Sequence, residues 1–273
     1  MGRDWTWKVP DPAANARLHL RYEPGGWGDV LKGVWAVAAA AALARGRAVV
    51  RVLDPFAGAP DYPRVAATAA RLEGLRAVDD PGVRSFLDLA GPTAAGGPLP
   101  STASLAAAAA RAAGARPALE VFDLDPDRRA AWAGRADVLD LASGDEALER
   151  PADLVHVDPY DLLADWPRVG PRLAARPPDD PALLVMYAFN RAPRGAAALR
   201  DYRAWRADLA RALGPRALLV GRVPSDPVLP RAWHEALLAG PPAAVAPLAA
   251  PLRAATTALA RHLSDAGCFE GPG

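Results

Sequence analysis

Short apolar runs rich in β-branched residues recur along the chain and alternate with longer stretches of helical composition. Each run is bounded by charged or turn-forming residues, which is typical of buried strands. The predicted strands cover residues 48–54, 118–123, 136–139, 182–187 and 217–223, with one more that starts at residue 154 and ends in Asp158. Because strands that alternate with helices form parallel sheets with both faces covered, the pattern predicts an α/β fold with a mostly parallel sheet.

The stretches between the strands predict helices over residues 29–44, 105–113 and 195–213, and a Pro-bearing tail over 231–263 that ends in a helix. Residues 61–104 interrupt the alternation with two helices, around Tyr62–Leu75 and Val83–Leu89, and then a loop of Gly, Pro, Ser and Thr. We interpret 61–104 as an inserted helical subdomain, packed over the ligand crevice of a single domain that spans residues 1–273. Residues 1–24 are predicted to form an extended arm or a lid.

Three of the predicted strands end in an acidic residue, namely Asp54, Asp123 and Asp158. In an open α/β sheet the carboxyl ends of the strands meet at one edge, and ligands bind there. The small-residue loop after Asp54, residues 55–60, lets a ligand approach the backbone, although it lacks a complete G-x-G-x-x-G. A carboxylate at Asp123 is able to accept two hydrogen bonds from ribose hydroxyls; Asp125 is the alternative, or simply begins the next helix. The set favours a nucleoside-containing cofactor without a phosphate chain.

Asp158, Pro159 and Tyr160 are either a catalytic motif or an ordinary Asp-Pro turn. An exocyclic amine on an aromatic ring is a poor nucleophile until hydrogen-bond acceptors hold its N–H groups. The Asp158 carboxylate and the Pro159 carbonyl are able to accept those bonds, while the Tyr160 ring stacks on the substrate. His156 lies within the strand and is interpreted as a packed core histidine rather than a base.

The charge and the cysteine content of the chain limit the nucleic-acid partners, disulfides and metal sites that can be expected. The 273 residues carry a formal net charge of +1, so no overall basic field exists to attract a nucleic acid. The arginines between residues 191 and 206 form either a local basic patch or a solvated helix face. One cysteine excludes an internal disulfide framework, and the acidic residues show no metal-like grouping with His or Cys. We therefore predict no metal.

The sequence also bears on location in the cell. The N-terminus lacks the apolar core of a signal peptide. The longest apolar run, residues 34–44, is about half as long as a membrane span. We expect a cytoplasmic protein that has no membrane association.

The order of these pieces resembles the class I S-adenosylmethionine (SAM)-dependent methyltransferases. From about residue 18 to residue 263 the chain is similar to the bacterial family that methylates adenine N6 in large-subunit ribosomal RNA. That family begins with His-Ala-Gly-Asn-x-Ala-Asp-Val-x-Lys-His, which residues 23–33 resemble, and residues 53–60 resemble its Leu-Asp-Thr-His-Ala-Gly-x-Gly. Residues 99–103 resemble its Tyr-Pro-Gly-Ser-Pro loop, and residues 158–161 its catalytic Asp-Pro-Pro-Tyr.

The chain departs from this family at several positions that carry chemistry. Gly33 and Phe56 stand where the family places two histidines, and Ser143 stands where it has an Asp. The motif at Asp158 lacks one proline, so Tyr160 comes one residue earlier than the family's aromatic residue.

The resemblance implies a Rossmann-like class I methyltransferase fold with SAM as the cofactor. It implies that Asp158, Pro159 and Tyr160 are the catalytic residues. The residues that it implies for binding the cofactor are Lys32, Asp54, Phe56, Gly58, Thr102, Asp123, Ser143 and Gly144.

Three functions remain open on the sequence. The first is a SAM-dependent N-methyltransferase that acts on an exocyclic or planar amine, adenine N6 in RNA being the substrate that the resemblance implies. The second is a methyltransferase of the same fold redirected to a small molecule or a peptide. The third is a SAM-fold protein that binds the cofactor or a partner without catalysis. The sequence gives no indication of the oligomeric state.

Overall fold

The computed structural model describes residues 25–91, 97–159, 161–191, 196–224, 232–263 and 268–270. The arm or lid predicted for residues 1–24 and the predicted catalytic residue Tyr160 lie outside the described residues.

An eight-stranded sheet forms the centre of the molecule, with the strand order β10-β8-β9-β7-β6-β1-β4-β5. The strands β5, β4, β1, β6 and β7 are mutually parallel, as the sequence predicts. Their bounds are β1 (Val49–Asp54), β4 (Arg116–Val121), β5 (Asp137–Val138), β6 (Leu154–Val157) and β7 (Leu183–Arg191). The remaining strands of this sheet are β8 (Ala217–Pro224), β9 (Ala232–Gly240) and β10 (Cys268–Glu270).

Strand β9 corrects the prediction of a tail without strands from residue 231 onward. It lies between β7 and β8 and is antiparallel to both, and β10 then pairs with the outer side of β8. The sequence concealed β9 because Glu235 interrupts its apolar pattern. In the folded protein that carboxylate is fully buried and paired with Arg222 of the neighbouring strand, at 2.9 Å from Nε to Oε1.

Helices cover both faces of the sheet. Their bounds are α1 (Trp27–Ala44), α2 (Ala66–Leu75), α3 (Pro81–Ala90), α4 (Thr102–Ala112), α5 (Pro126–Ala131), α6 (Leu162–Ala174), α7 (Ala196–Leu213) and α8 (Pro242–His262), with a 3₁₀-helix over Gly144–Glu149. Helices α1, α3, α4 and α8 pack their apolar residues on one face, and α6 and α7 pack theirs on the other. This arrangement confirms the predicted α/β fold, a mostly parallel sheet with helices on both faces.

Residues 61–104 differ in one respect from the predicted pair of helices and a loop. The start of the predicted helix Tyr62–Leu75 is instead strand β2 (Asp61–Pro63), which pairs antiparallel with β3 (Pro98–Pro100). A two-stranded ribbon tolerates prolines because both of its strands are edge strands, where a residue without an N–H leaves no ladder hydrogen bond unmade. Helix α2 begins only at Ala66, and α3 is capped at its start by Asp80, whose Oδ1 accepts the N–H of Gly82 at 2.8 Å and of Val83 at 3.0 Å.

Two helices of the described chain are long and apolar enough to span a membrane by length and composition alone, namely α1 and α8. Buried core helices of other proteins meet the same criterion, and 72% of the apolar window of α1 is buried within this protein. The criterion is therefore weak evidence here.

Candidate functional site

The three acidic residues predicted at strand ends lie on the carboxyl edge of the parallel strands. Asp54 is the last residue of β1, Asp158 directly follows β6, and Asp123 lies two residues beyond β4. Since β4, β1 and β6 are adjacent in the sheet, their ends form one continuous rim.

The loop after β1 is held by carboxylates from two strand ends. Asp54 Oδ1 accepts the N–H of Phe56 at 3.1 Å, and Asp123 Oδ2 accepts the N–H of Gly58 at 3.0 Å. Gly58 has a φ of +61°, a left-handed conformation that favours glycine. Its carbonyl accepts the indole N–H of Trp132 at 2.9 Å. The loop is thus fixed at both ends, with its backbone at the rim.

Asp123 is largely covered, yet it retains capacity to bind a ligand. Its side chain is 11% exposed, Oδ1 accepts the N–H of Asp125 at 2.8 Å, and Arg128 lies 3.5 Å from Oδ2. Burial is the main cause that raises the pKa of this carboxyl. A carboxylate offers about four acceptor positions, so two backbone N–H groups leave positions for ribose hydroxyls. Asp125, the alternative, caps α5 through the N–H of Asp127 at 2.9 Å.

Asp54 and His156 form a buried pair beneath the rim. The exposed fractions are 1% for Asp54 and 4% for His156, and Oδ2 lies 2.7 Å from Nδ1. Within the described chain His156 Nε2 is buried and has no hydrogen-bond partner. Asp54 was predicted to bind the cofactor; here its oxygens contact the loop and the histidine, so the structure places it under the site as a support. His156 is packed in the core, as the sequence interpretation has it.

The turn after β5 packs directly on the loop after β1. A Cβ added to Gly144 would collide with the carbonyl oxygen of Pro55 and lie 3.0 Å from the Phe56 ring. Ser143 donates to Asp145, which Arg168 also contacts. Burial alone would raise the pKa of Asp145, but these hydrogen bonds and the arginine charge lower it. Gly144, with Ser143 next to it in the chain, therefore lies against Phe56. That these three residues bind the cofactor stays a prediction.

Lys32 and Asp158 form a largely buried ion pair at the rim. The ammonium of Lys32 lies 2.5 Å from Asp158 Oδ2 and 2.7 Å from Asp29 Oδ1. Lys32 is 7% exposed and its ammonium lies 5.0 Å from the centre of the Tyr187 ring. Lys32 was predicted on the cofactor side of the site. In the structure Lys32 contacts Asp158, the predicted catalytic carboxylate. It therefore links the predicted cofactor-binding residues to the predicted catalytic residues.

Tyr187 and His234, which the sequence interpretation did not include in the site, adjoin Lys32. The Tyr187 hydroxyl lies 2.6 Å from His234 Nδ1, and the two rings stack with their centres 6.0 Å apart. Burial raises the pKa of Tyr187 and lowers that of His234 to about 4. Only the register of β7 with β9 brings them together, and β9 was not predicted.

Tyr62 connects the cofactor side to the Lys32 side. Its hydroxyl lies against Gly58, and the charges of Asp29, Lys32 and Arg128 all act on it. Burial raises the pKa of Tyr62 to about 12, so the hydroxyl is neutral and able to donate. The sequence predicted Tyr62 at the start of a helix, and its position beside Gly58 follows only from its place in strand β2.

The other predicted residues lie in supporting positions. Thr102 is 8% exposed and is the first residue of α4, next to Ser101, which caps the helix through the N–H of Ser104 at 3.3 Å. Pro159 is buried directly after Asp158. Among the described residues no group of three or more His, Cys, Asp or Glu side chains is arranged to hold a metal ion.

Comparison with known proteins identifies similar folds. No protein-family model matches the chain. No curated protein matches it either. Protein LPL1258 from Legionella pneumophila str. Philadelphia 1, described as family-model DUF519, superposes with a TM-score of 0.72 at 12% identity, over 92% of this chain and 99% of that one. This likeness shows a shared fold over nearly the whole of both chains.

Two further solved structures are more distant. A probable spermidine synthase from Corynebacterium glutamicum gives a TM-score of 0.42 at 10% identity, over 89% of this chain and 75% of its own. A putative class I SAM-dependent methyltransferase from Listeria monocytogenes gives a TM-score of 0.40 at 12% identity, over 88% of this chain and 75% of its own.

Proposed function

We propose that this protein is a SAM-dependent N-methyltransferase that acts on an exocyclic amine of a planar ring. One observation carries the proposal, namely a half-buried carboxylate with one free oxygen at the rim. Asp158 Oδ2 is bound by Lys32, whereas Oδ1 has no hydrogen-bond partner among the described residues, and the side chain is 16% exposed. An acceptor fixed in this way suits the N–H of a substrate amine.

Lys32 orients Asp158 for this role. A carboxylate held on one oxygen by a buried ammonium has little freedom to rotate, so its other oxygen points in a fixed direction. Asp29 holds Lys32 from the other side, at 2.7 Å, so the three charges form a chain rather than an isolated pair. Positioning of this kind is the main requirement for methyl transfer to an amine, because alignment of the reacting atoms lowers the barrier.

The residues on the cofactor side fit the adenosine part of SAM. Asp123 has acceptor positions left for ribose hydroxyls, and Ser143–Gly144 lies directly against Pro55 and Phe56 at the same rim. SAM would supply an electrophilic methyl group on a sulfonium, which leaves as a neutral thioether. In such a transfer the amine nitrogen would form its new bond to the methyl carbon, and the electron pair of the carbon–sulfur bond would go to sulfur. The nitrogen would then give up one proton to solvent, while Asp158 would hold the N–H in place.

Two substrate classes follow from different observations. The resemblance to the ribosomal RNA methyltransferases extends the proposal to adenine N6 in RNA. The net charge of +1 favours the second candidate, a small-molecule or peptide amine, because it provides no general field for a polyanion.

Calorimetric titration with S-adenosylhomocysteine tests the cofactor half. We expect the wild-type protein to bind it and Asp123→Asn to bind at least about tenfold more weakly, since one hydrogen bond to a charged group contributes about 1.5–3 kcal/mol. Asp88→Asn, a substitution of an exposed carboxylate on α3, is the matched control and should bind normally. Absence of heat with both SAM and its demethylated product would contradict both enzyme hypotheses.

Transfer of a labelled methyl group tests the substrate half. A synthetic RNA hairpin and a pool of metabolite amines are incubated with labelled SAM in parallel. Labelled RNA, with affinity that falls steeply with salt, supports the RNA substrate. Label in the metabolite pool alone supports the small-molecule substrate, and cofactor binding with no transfer to either indicates a binding protein.

A further inference from the structure

A histidine at the rim is held in one tautomer by a buried tyrosine. Burial keeps Tyr187 protonated, and its hydroxyl lies 2.6 Å from His234 Nδ1. Because a phenol O–H is a stronger donor than the N–H of a neutral imidazole, we assign the hydroxyl as the donor and Nδ1 as the acceptor. The imidazole is neutral near pH 7, because burial lowers its pKa to about 4. With Nδ1 accepting, the ring hydrogen is on Nε2.

The start of α1 determines which edge of the imidazole faces outward. A Cβ added to Gly28 would lie 2.9 Å from His234 Nδ1 and 2.8 Å from Tyr187 Cζ. The helix therefore covers the Nδ1 edge, and the Nε2 edge points away from it. Nε2 has no hydrogen-bond partner among the described residues, and the His234 side chain is partly exposed, so its N–H is able to donate to a ligand.

The histidine lies on the same rim as the amine-holding carboxylate. Val157 pairs with Met186 on adjacent strands, so Asp158 and Tyr187 follow at the same level of the sheet. His234 is on β9, the next strand beyond β7, where it is paired with Phe189 and has its ring centre 5.1 Å from the phenyl ring. Two strand spacings across the sheet and two residues along it separate the backbones of Asp158 and His234, which amounts to about 12 Å. Both side chains are long enough to reach a ring placed between them.

We propose that His234 Nε2–H donates to a ring nitrogen of the substrate, beside Phe189 and opposite Asp158, and so selects aminated nitrogen heterocycles over carbocyclic amines. The inference rests on the proposed function and adds the class of ring. Asp158 accepts from the exocyclic amine, His234 donates to an in-ring acceptor, and Phe189 contacts the ring. A site that holds a donor for the ring nitrogen leaves that donor unpaired when the nitrogen is replaced by carbon.

The test compares 2-aminopyridine with aniline, which differ only in the ring nitrogen. Binding of each is measured by NMR titration with S-adenosylhomocysteine present, at a pH where both probes are neutral. One hydrogen bond corresponds to a preference of about three- to tenfold for 2-aminopyridine in the wild-type protein. His234→Phe keeps a ring at the position but removes the donor, and should abolish the preference.

Two further variants separate this role from a structural one. Tyr187→Phe removes the hydroxyl that fixes the tautomer of His234 but leaves the imidazole in place. The preference for 2-aminopyridine over aniline should therefore fall, while both probes still bind. Phe189→Ala should weaken the binding of both probes by the same factor and leave the preference for 2-aminopyridine unchanged. Equal binding of the probes to wild type, an unchanged preference in His234→Phe, or binding of neither probe would overturn the proposal.

The same measurements distinguish this inference from the proposed function. Loss of the ring preference with normal S-adenosylhomocysteine binding rejects the role of His234 alone. Absence of S-adenosylhomocysteine binding rejects the methyltransferase, whatever the probes show.

Discussion

Asp158 is the residue on which the chemistry depends most directly. Its environment, with an ammonium on one oxygen and an accessible second oxygen, is built by Lys32 from α1 and supported by Asp29. The Asp-Pro step was recognisable in the sequence as a candidate motif. Its pairing with a lysine more than a hundred residues away was not, because only the packing of α1 on the sheet brings the two together.

Asp158→Asn should leave the cofactor site intact and slow methyl transfer. The amide is neutral, and it loses the ion pair with Lys32 that fixes its orientation, so we expect a fall of about 100-fold or more in kcat/KM. S-adenosylhomocysteine affinity should change by less than about threefold, which corresponds to about 0.6 kcal/mol. Asp88→Asn is the control, and transfer by Asp158→Asn at the wild-type rate would rule out a catalytic role for this carboxylate.

His234 makes stability depend on pH in a defined window. Its pKa in the folded protein is about 4 against 6.5 for a free histidine, so between these values the unfolded chain binds more protons than the folded one. The free energy of unfolding should therefore decrease as pH falls from 6.5 to 4, by about 2–3 kcal/mol from this residue. Urea unfolding of His234→Asn should lack that part of the decrease. His262→Gln, which alters an exposed histidine, should retain it.

At the level of elements, the strands with nearly uninterrupted apolar runs were predictable, and β9, with its consecutive polar residues, was not. The strands β1, β6 and β8 consist of nearly uninterrupted apolar runs, so their bounds agree with prediction to within one residue. Strand β9 contains Trp233, His234 and Glu235 in succession, and its polar members are accounted for only by partners on β7, β8 and α7. The carboxylates of the site were therefore foreseeable, whereas the Tyr187–His234 and Asp54–His156 pairs required knowledge of strand register.

Two helical glycines give opposite expectations for substitution by alanine. At Gly28 in α1 a methyl group would collide with the hydrogen-bonded Tyr187–His234 pair, so Gly28→Ala should destabilise the protein by about 1–3 kcal/mol. At Gly74 in α2 the nearest atoms are 3.6 Å away and belong to His262, so Gly74→Ala should stabilise it by about 0.5–1 kcal/mol. Thermal unfolding of both variants checks the signs, and a stabilised Gly28→Ala would show that α1 does not pack as described.

For the whole molecule, a ligand that binds only the folded state must raise the unfolding temperature. At a concentration of S-adenosylhomocysteine about 100 times its Kd, the expected stabilisation is about 2.7 kcal/mol. In a protein of this size that corresponds to an increase of about 5 °C or more. The Asp123→Asn variant should show a smaller shift at the same concentration. An unchanged melting temperature at saturating cofactor would argue against binding to the folded protein.

The position of β9 has a consequence for folding during synthesis. Among the described strands, the partners of β8 are β9 and β10, and both follow it in the chain. When β8 leaves the ribosome, neither of its partners has yet been made, and the outer edge of β7 is equally bare. Exposed strand edges promote association between chains. A nascent chain halted between β8 and β9 should therefore depend on chaperones, and should become independent of them only once residue 240 has emerged.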